Sequence, residues 1–257
     1  METIPERKKS GLHSGAIRTW AMLFVAAGVI SRGILQRTML GMGSISGIEL
    51  LEIMNSSETA MIIATVSLVL LVLEACAVPI FAFLTVEGFK HTSNYVNYIL
   101  RVLGLALLSE IPYNLAFSGK LLDFSGRNPV FGVVLALAVL GFYKYYEGKS
   151  VKNAAIKTVV TVSAILWVGM LDIAYGLPTV LIAAVLWALR AKPIFANVAG
   201  ATVSILCSLS SMFMVAAPMG FLAVHSYNGE KGESSRLVNY LAYPALLLTA
   251  CLAGMVL

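Results

Sequence analysis

The sequence predicts an all-α fold, a polytopic bundle of transmembrane helices. Three observations predict it. Of the 257 residues, 59% are hydrophobic; only 12% are charged; and apolar runs follow one another along the whole chain, most of them at or near the roughly 20 residues that cross a bilayer's hydrocarbon. A soluble domain carries about 25% charged residues, so little of this surface is made to meet water. One integral membrane domain over residues 1–257 is expected, with a polar, basic cytoplasmic leader at 1–14 and no room for a soluble domain. No small-residue cleavage site follows the first apolar run, so it reads as an uncleaved anchor. The net charge of +5 does not point to nucleic acid, because the cations are scattered among loops. Cys76, Cys207 and Cys251 lie in apolar runs and read as inert thiols, not as a disulfide or zinc site.

The spans follow in order. Span one covers about 15–35. A Gly/Ser-rich loop with Glu49 and Glu52 separates it from span two, about 59–86, which is long enough to tilt. Glu87, Lys90, His91, Thr92, Ser93 and Asn94 form a polar turn, in which Ser93 or Asn94 can cap the next helix with a short side-chain oxygen. Span three, about 94–117, carries Glu110 and Pro112 inside an apolar run. Both are costly in lipid and should face protein or a wet cavity. Span four, about 129–146, ends in the aromatic cluster Phe142, Tyr143, Tyr145 and Tyr146, suited to a headgroup interface. Span five covers about 151–171, Asp172 marks a tight turn, and span six runs to about 189.

The apolar stretch 194–224 is too long for one ordinary crossing and short for two. Ser208, Ser210 and Ser211 offer a break. A last span runs from about 237 to 257. Loop charge arbitrates: with nine spans and a cytoplasmic N-terminus, 14 of the 18 Lys and Arg residues fall inside, as cytoplasmic loops require. With eight spans the split is 12 against 6. Nine spans are expected, with eight as the alternative.

Residues 79–94 and 109–117 then carry a resemblance. PIFAFL, VEGFKHTSN and SEIPYNLAF are similar to the corresponding motifs of the TraX family of membrane proteins. The likeness continues at Arg127-Asn128-Pro129-Val130-Phe131, at Tyr227-Asn228-Gly229-Glu230-Lys231-Gly232 and at Tyr243-Pro244. It implies a bacterial inner-membrane, multi-pass protein that transfers acetyl from acetyl-CoA to an amine, in the founding case a pilin N-terminus. It also implies an Asp-His pair on the first helix, with the histidine as general base and the aspartate fixing its tautomer.

At those positions this chain has Gly28 and Val29, neither of which can move a proton. Other polar positions of the family pattern have also changed. Its GRLAFP reads Glu74-Ala75-Cys76-Ala77-Val78-Pro79, and the aspartate of its SEIPFD is Asn114. A threonine becomes Gly132, a further aspartate becomes Ala174 beside Tyr175, and a histidine becomes Leu246.

No catalytic residue is therefore assigned. Candidates for cavity lining or donor binding are Arg32, Glu74, Glu87, His91, Arg101, Glu110, Asn114, Asn128 and Tyr175. Glu74 reads either as a carboxyl group paired or protonated in the bundle, or as a proton or cation site. Glu110 should hold the Pro112 break through N–H groups or a cation such as Arg32. Glu87 should bond within its own turn. His91 reads as a structural turn residue, a base or a coenzyme contact; Arg101 reads as a snorkelling cation or a phosphate contact. His13 and His225 read as solvated and interfacial. No metal is expected.

Three functions follow. The first is a degenerate TraX-like protein, weakly active or inactive, that binds a lipid, a peptide or a membrane or secreted partner protein in an emptied, more apolar cavity. The second is an active acetyltransferase using acetyl-CoA. The third is a transporter-like protein using its buried carboxylates.

Overall fold

A computed structural model describes residues 11–41, 52, 57–232 and 236–256. The leader cations Arg7, Lys8 and Lys9 and most of the 41–55 loop, Glu49 included, lie outside the described residues. Helix α1 spans Ser14–Met39 and α2 Glu58–His91; α3 is Tyr95–Phe117 and α5 is Val151–Met170. These four are long and apolar enough to cross a membrane. Val130–Tyr145 (α4), Gly176–Ala188 (α6), Pro193–Leu209 (α7) and Met212–His225 (α8) are shorter apolar helices, and Arg236–Val256 forms α9.

Helix α1 starts on a cap. The Nδ1 of His13 accepts the N–H of Ala16 at 3.0 Å, so His13 is a helix terminus and not simply a solvated leader residue. From Ile30 to Met39 the helix widens to π geometry and runs past the expected end near residue 35. Such stretches re-aim side chains and recur at functional sites. Here the wider turn carries Ser31, Arg32, Gln36 and Arg37. Ser31 and Gln36 meet Ser67 of α2, the two serine hydroxyls lying 2.7 Å apart and Gln36 Nε2 donating to Ser67 Oγ at 2.6 Å. All three side chains are buried, which satisfies their polar groups across the interface.

Helix α2 breaks once, at Cys76, between Glu58–Ala75 and Ala77–His91. Pro79 has no N–H to give to the Ala75 carbonyl, and its ring would clash there. At that break α8 crosses: the Cys76 thiol reaches the Ala216 carbonyl at 3.4 Å. Gly220 lies against Cys76 and Pro79, where a side chain would overlap the Cys76 carbonyl. The helix continues to His91 instead of stopping near 86. Lys90 and His91 therefore sit on its last turn, where cations complement the helix dipole, and are not in a loop. Asn94 then caps α3, accepting the Asn97 N–H at 2.9 Å.

The 194–224 stretch divides at Ser210. Ser210 and Ser211 both donate their N–H to the Cys207 carbonyl, and Gly200 of α7 lies against the ring of Phe221 of α8. These contacts fold α7 and α8 into an antiparallel hairpin. Between α5 and α6 the turn places Asp172 and Tyr175 at φ 45° and 52°, a left-handed conformation costing a non-glycine residue roughly 1–2 kcal/mol. Main-chain bonds from Arg127 N–H to the Asp172 carbonyl and from Ala174 N–H to the Arg127 carbonyl, both 3.0 Å, hold that turn against the 118–128 loop.

The main core joins α1, α2, α4, α6, α7 and α8 through Ile17, Ile80, Phe89, Leu137, Leu140, Ile182, Ala196 and Met214. A smaller cluster of Val29, Ala116, Tyr243 and Leu247 ties α1 and α3 to α9. The lipid-like outer surface is carried most clearly by α5, whose Val159, Leu166 and Met170 are exposed.

Candidate functional site

Three helices meet at one polar point inside the bundle. Arg32 comes from the π segment of α1, Glu74 from the last turn before the α2 break, and Tyr175 from the strained turn ahead of α6. Arg32 forms an ion pair with one Glu74 oxygen, and the Tyr175 hydroxyl donates to the other at 3.1 Å. Glu74 is only 5% exposed, so both charges depend on each other: a buried ion loses several kcal/mol of hydration that only a close partner returns. The Arg32 guanidinium also stacks between two rings, 5.0 Å from the Phe117 centroid and 5.8 Å from that of Tyr175, which fixes its plane.

Gly28 makes this geometry possible. A Cβ on Gly28 would overlap the Glu74 carboxyl carbon and both of its oxygens. The space a side chain at position 28 would take is filled, from the neighbouring helix, by a carboxylate.

Two cavities flank the cluster. The wider, about 980 Å³, is lined by Arg32, Gln36, Tyr113, Asn114, Asp172 and Tyr175, with Ser118, Lys120 and the Ser210–Ser211 break towards its mouth. The narrower, about 340 Å³, has Arg18, Arg101 and Lys231 beside Tyr98 and Tyr240. Its walls are apolar, with Met22, Val25, Val102 and Val133, and Glu74 is the one acid among its lining residues. The interior is thus apolar along the narrow cavity and polar where the two cavities meet, with an ion pair, two tyrosines, an asparagine and a glutamine.

The other candidates separate from this point. Glu110 pairs not with Arg32 but with Arg127, at 2.8 Å, and accepts from Asn128 Nδ2 at 2.6 Å. Asn128 is fully buried and also donates to the Ala106 carbonyl at 2.9 Å. The reason is reach: Arg127 stands in the loop directly over Glu110, whereas Arg32 is committed to Glu74. Glu110 and Asn128 therefore anchor the 118–128 loop to α3 and line neither cavity. Glu87 takes up Lys90 at 3.1 Å and His91 at 3.0 Å, and the Tyr227 hydroxyl donates to it at 3.3 Å. His91 bonds this carboxylate and not the turn backbone, and its side chain is 72% exposed. Arg101, exposed, donates from Nε to the Asn97 carbonyl at 2.9 Å and lines the narrow cavity. Asn114 lines the wide one, its Nδ2 buried without a partner.

Several residues that shape the site were not named as site candidates from the sequence: Arg18, Gln36, Tyr98, Tyr113, Lys231 and Tyr243. A glutamine one helical turn after Arg32, inside an apolar span, was a legible signal. The clustering of Arg18, Arg101 and Lys231 was not, because they are far apart in the chain. Among the described residues no three His, Cys, Asp or Glu side chains gather as a metal site, and all three cysteines are buried and free.

The apolar helices make this a membrane protein, and one comparison adds a family. The family model described as TraX protein matches residues 47–253. It begins after α1, so Gly28 and Arg32 lie outside the matched segment, whereas Glu74, Arg101, Asn114 and Tyr175 lie inside it. Neither a curated protein nor a solved structure matches the chain. With the match covering most of its length, the chain belongs to the TraX family.

Proposed function

We propose that the protein is a degenerate TraX-type acetyltransferase. In this reading it is a single multi-pass domain of nine spans in a bacterial inner membrane, with its N-terminus in the cytoplasm. It binds an acyl-coenzyme A donor in the narrow cavity and transfers the acyl group slowly. The loop-charge asymmetry supports the orientation, and the Ser210 reversal supports the ninth span. Arg18, Arg101 and Lys231 suit a donor's phosphates, and the apolar walls suit its thin thioester arm. At the inner end stands Glu74.

The observation that carries this reading is the location of the Glu74 carboxylate. It fills the space in front of Gly28, where the family resemblance expects an acidic side chain, and no imidazole lines either cavity. Glu74 is the one carboxylate lining the narrow cavity and is the group available there to accept a proton. In the step it supports, an amine nitrogen bonds to the thioester carbonyl carbon and the carbon–sulfur bond breaks. The amine proton passes to Glu74, and from there to the departing thiolate. A positioned base contributes about 10²–10⁴-fold. Glu74 delivers the low end of that range, since both its oxygens are already engaged by Arg32 and Tyr175.

That same engagement favours a second reading, in which the pair is purely structural and the cavity binds a donor-like lipid, or part of a partner protein, without turnover. The test is acetyl-CoA binding and thiol release by the purified protein, compared with Glu74→Gln and with Arg101→Ala/Lys231→Ala. Degenerate catalysis predicts measurable binding, weakened by the double rim variant, and slow thiol release that Glu74→Gln abolishes without loss of binding. Binding with no thiol release in the parent chain selects the second reading. Absence of acetyl-CoA binding sinks the donor assignment.

Restoring an aspartate at 28 requires more than Gly28→Asp and Val29→His, because Glu74 occupies the space. The productive variant is Gly28→Asp/Val29→His/Glu74→Gly.

A further inference from the structure

The two cavities draw on opposite ends of the same helices. The narrow one takes Arg18 and Met22 from the start of α1, and Tyr98 and Arg101 from the start of α3. The wide one takes Arg37 from the end of α1 and Gly41 just beyond it, and Asn114 from the end of α3 and Ser118 just beyond it. From Arg18 to Arg37 the rise is at most roughly 28 Å at 1.5 Å per residue, comparable to the roughly 30 Å hydrocarbon thickness of a bilayer. The cavities therefore reach inward from opposite faces of the bundle, one from the Arg101 face and one from the Lys120 face. Both are lined by Arg32, Phe117 and Tyr175. What separates them there is one layer of side chains: the Arg32–Glu74 pair, held between the two rings.

We propose that the two cavities are halves of one passage through the protein and that Arg32, Glu74, Phe117 and Tyr175 form its gate. A reagent admitted at the Arg101 face meets, at Glu74, a polar nucleophile admitted at the Lys120 face, so an acyl group crosses the membrane while neither carrier does. The identity of the donor rests on the proposed function; the passage and its gate do not. The chemistry of each half agrees with this division. The Arg101 half is apolar with a cationic mouth, fit for a phosphate-bearing molecule with a slender arm. The Lys120 half presents Tyr113, Asn114, Ser118, Asp172, Ser210 and Ser211, fit for a hydrated polar acceptor. The gate explains why a buried ion pair persists where a pair of apolar side chains of like volume costs no desolvation: a charged, stacked septum excludes free leakage of either reagent.

The test reads accessibility and needs neither acetyl-CoA nor turnover. Val133→Cys places a thiol in the narrow half and Ser211→Cys one in the wide half, and the parent chain, whose cysteines are buried, gives the background. In vesicles of known orientation, a membrane-impermeant maleimide should label Val133→Cys from the Arg101 face only and Ser211→Cys from the Lys120 face only. Adding Phe117→Ala, which leaves the ion pair intact, or Arg32→Ala, which removes it, should let Val133→Cys be labelled from both faces, at a rate at least tenfold above the parent gate from the Lys120 side. Labelling of both thiols from the same face, or a Val133→Cys thiol that stays one-sided in both gate variants, overturns the passage. If the passage holds while acetyl-CoA does not bind, only the donor assignment falls.

Discussion

Gly28→Ala is the smallest substitution that should disrupt the centre of this protein. In most helices Gly→Ala stabilises, by about 1 kcal/mol. At Gly28 the added methyl overlaps the carboxyl group of Glu74. That group is the far end of a flexible side chain, so it can move, but only by leaving Arg32 and Tyr175. Breaking a buried pair costs about 3–5 kcal/mol, because it strands a charge without hydration. Less the helix gain, the net loss is about 2–4 kcal/mol. For a chain of this size, with about 2–4 °C of Tm per kcal/mol, the expected fall is roughly 5–15 °C. Two controls lie in the same fold. Gly104 and Gly169 have open space where a Cβ would stand, and their alanine variants should hold or raise Tm. A third variant closes the cycle: in a Glu74→Gly background, Gly28→Ala should no longer destabilise, giving a coupling of at least about 2 kcal/mol. Thermal unfolding of the detergent-purified protein measures all of them. If Gly28→Ala behaves like Gly104→Ala, or if the two changes simply add, Glu74 does not occupy that space.

Other expectations concern the loop over α3. Arg127→Ala leaves Glu110, 13% exposed at its side chain, with only Asn128 for company and should cost about 2–4 kcal/mol, read as a Tm loss. Asn128→Ala removes three side-chain hydrogen bonds, to the Ala106 carbonyl and Glu110 and from the Val130 N–H, and should cost about 1–3 kcal/mol, whereas Lys90→Ala, which touches an exposed pair, should change Tm by less than about 1 kcal/mol equivalent. Asp123 gives the loop a pH signature. The Ser125 backbone N–H, then the Ser125 hydroxyl, hold its carboxyl down to about 2. A depressed carboxylate stabilises above its unfolded value and loses that contribution as pH falls towards the folded one. The stability gap between the parent chain and Asp123→Asn should therefore be constant from pH 7 to about 4 and close between about 4 and 2, as measured by unfolding across that range.

Much of the fold was legible because lipid imposes simple rules. Helix ends at Tyr95, Phe117, Val130 and Val151 followed from polar breaks and hydropathy. The two-part reading of 194–224 followed from its length and its serines, and agrees with the hairpin at Ser210. What failed was local. Helix α2 runs on to His91 because polar residues on the last turn of a helix look like a loop when hydropathy alone is read. The π segment of α1 was invisible, since no residue type demands it. The site was half legible. Arg32, Glu74 and Tyr175 were all named as candidates: Glu74 as a carboxyl group deep in an apolar run, Arg32 as a cation for Glu110, and Tyr175 only through the family pattern. Their pairing was not, and Arg32 was offered as a partner for Glu110 on similar expected depth and an inward face. Depth constrains a partner along the membrane normal but not around the bundle, and around the bundle Gly28 decides. Only a residue without a side chain leaves room for a carboxylate from the next helix.

That last point bears on what degeneration means in this chain. Set against the family pattern that the sequence resembles, Gly28, Val29, Gly132 and Ala174 look like erosion when each position is read alone. At Gly28 the space a side chain would take is filled by a carboxylate from α2, and a Cβ on Gly132 would stand 2.9 Å from the Gly176 Cα, so α4 and α6 approach where a larger residue would hold them apart. In the proposed reading, a carboxylate supplied by α2 where the family resemblance implies one on α1 keeps the charge but has a different partner, a guanidinium to neutralise instead of an imidazole to orient. The expected consequence is a site poorer at moving protons and better at staying closed, which is what a gate between two cavities requires.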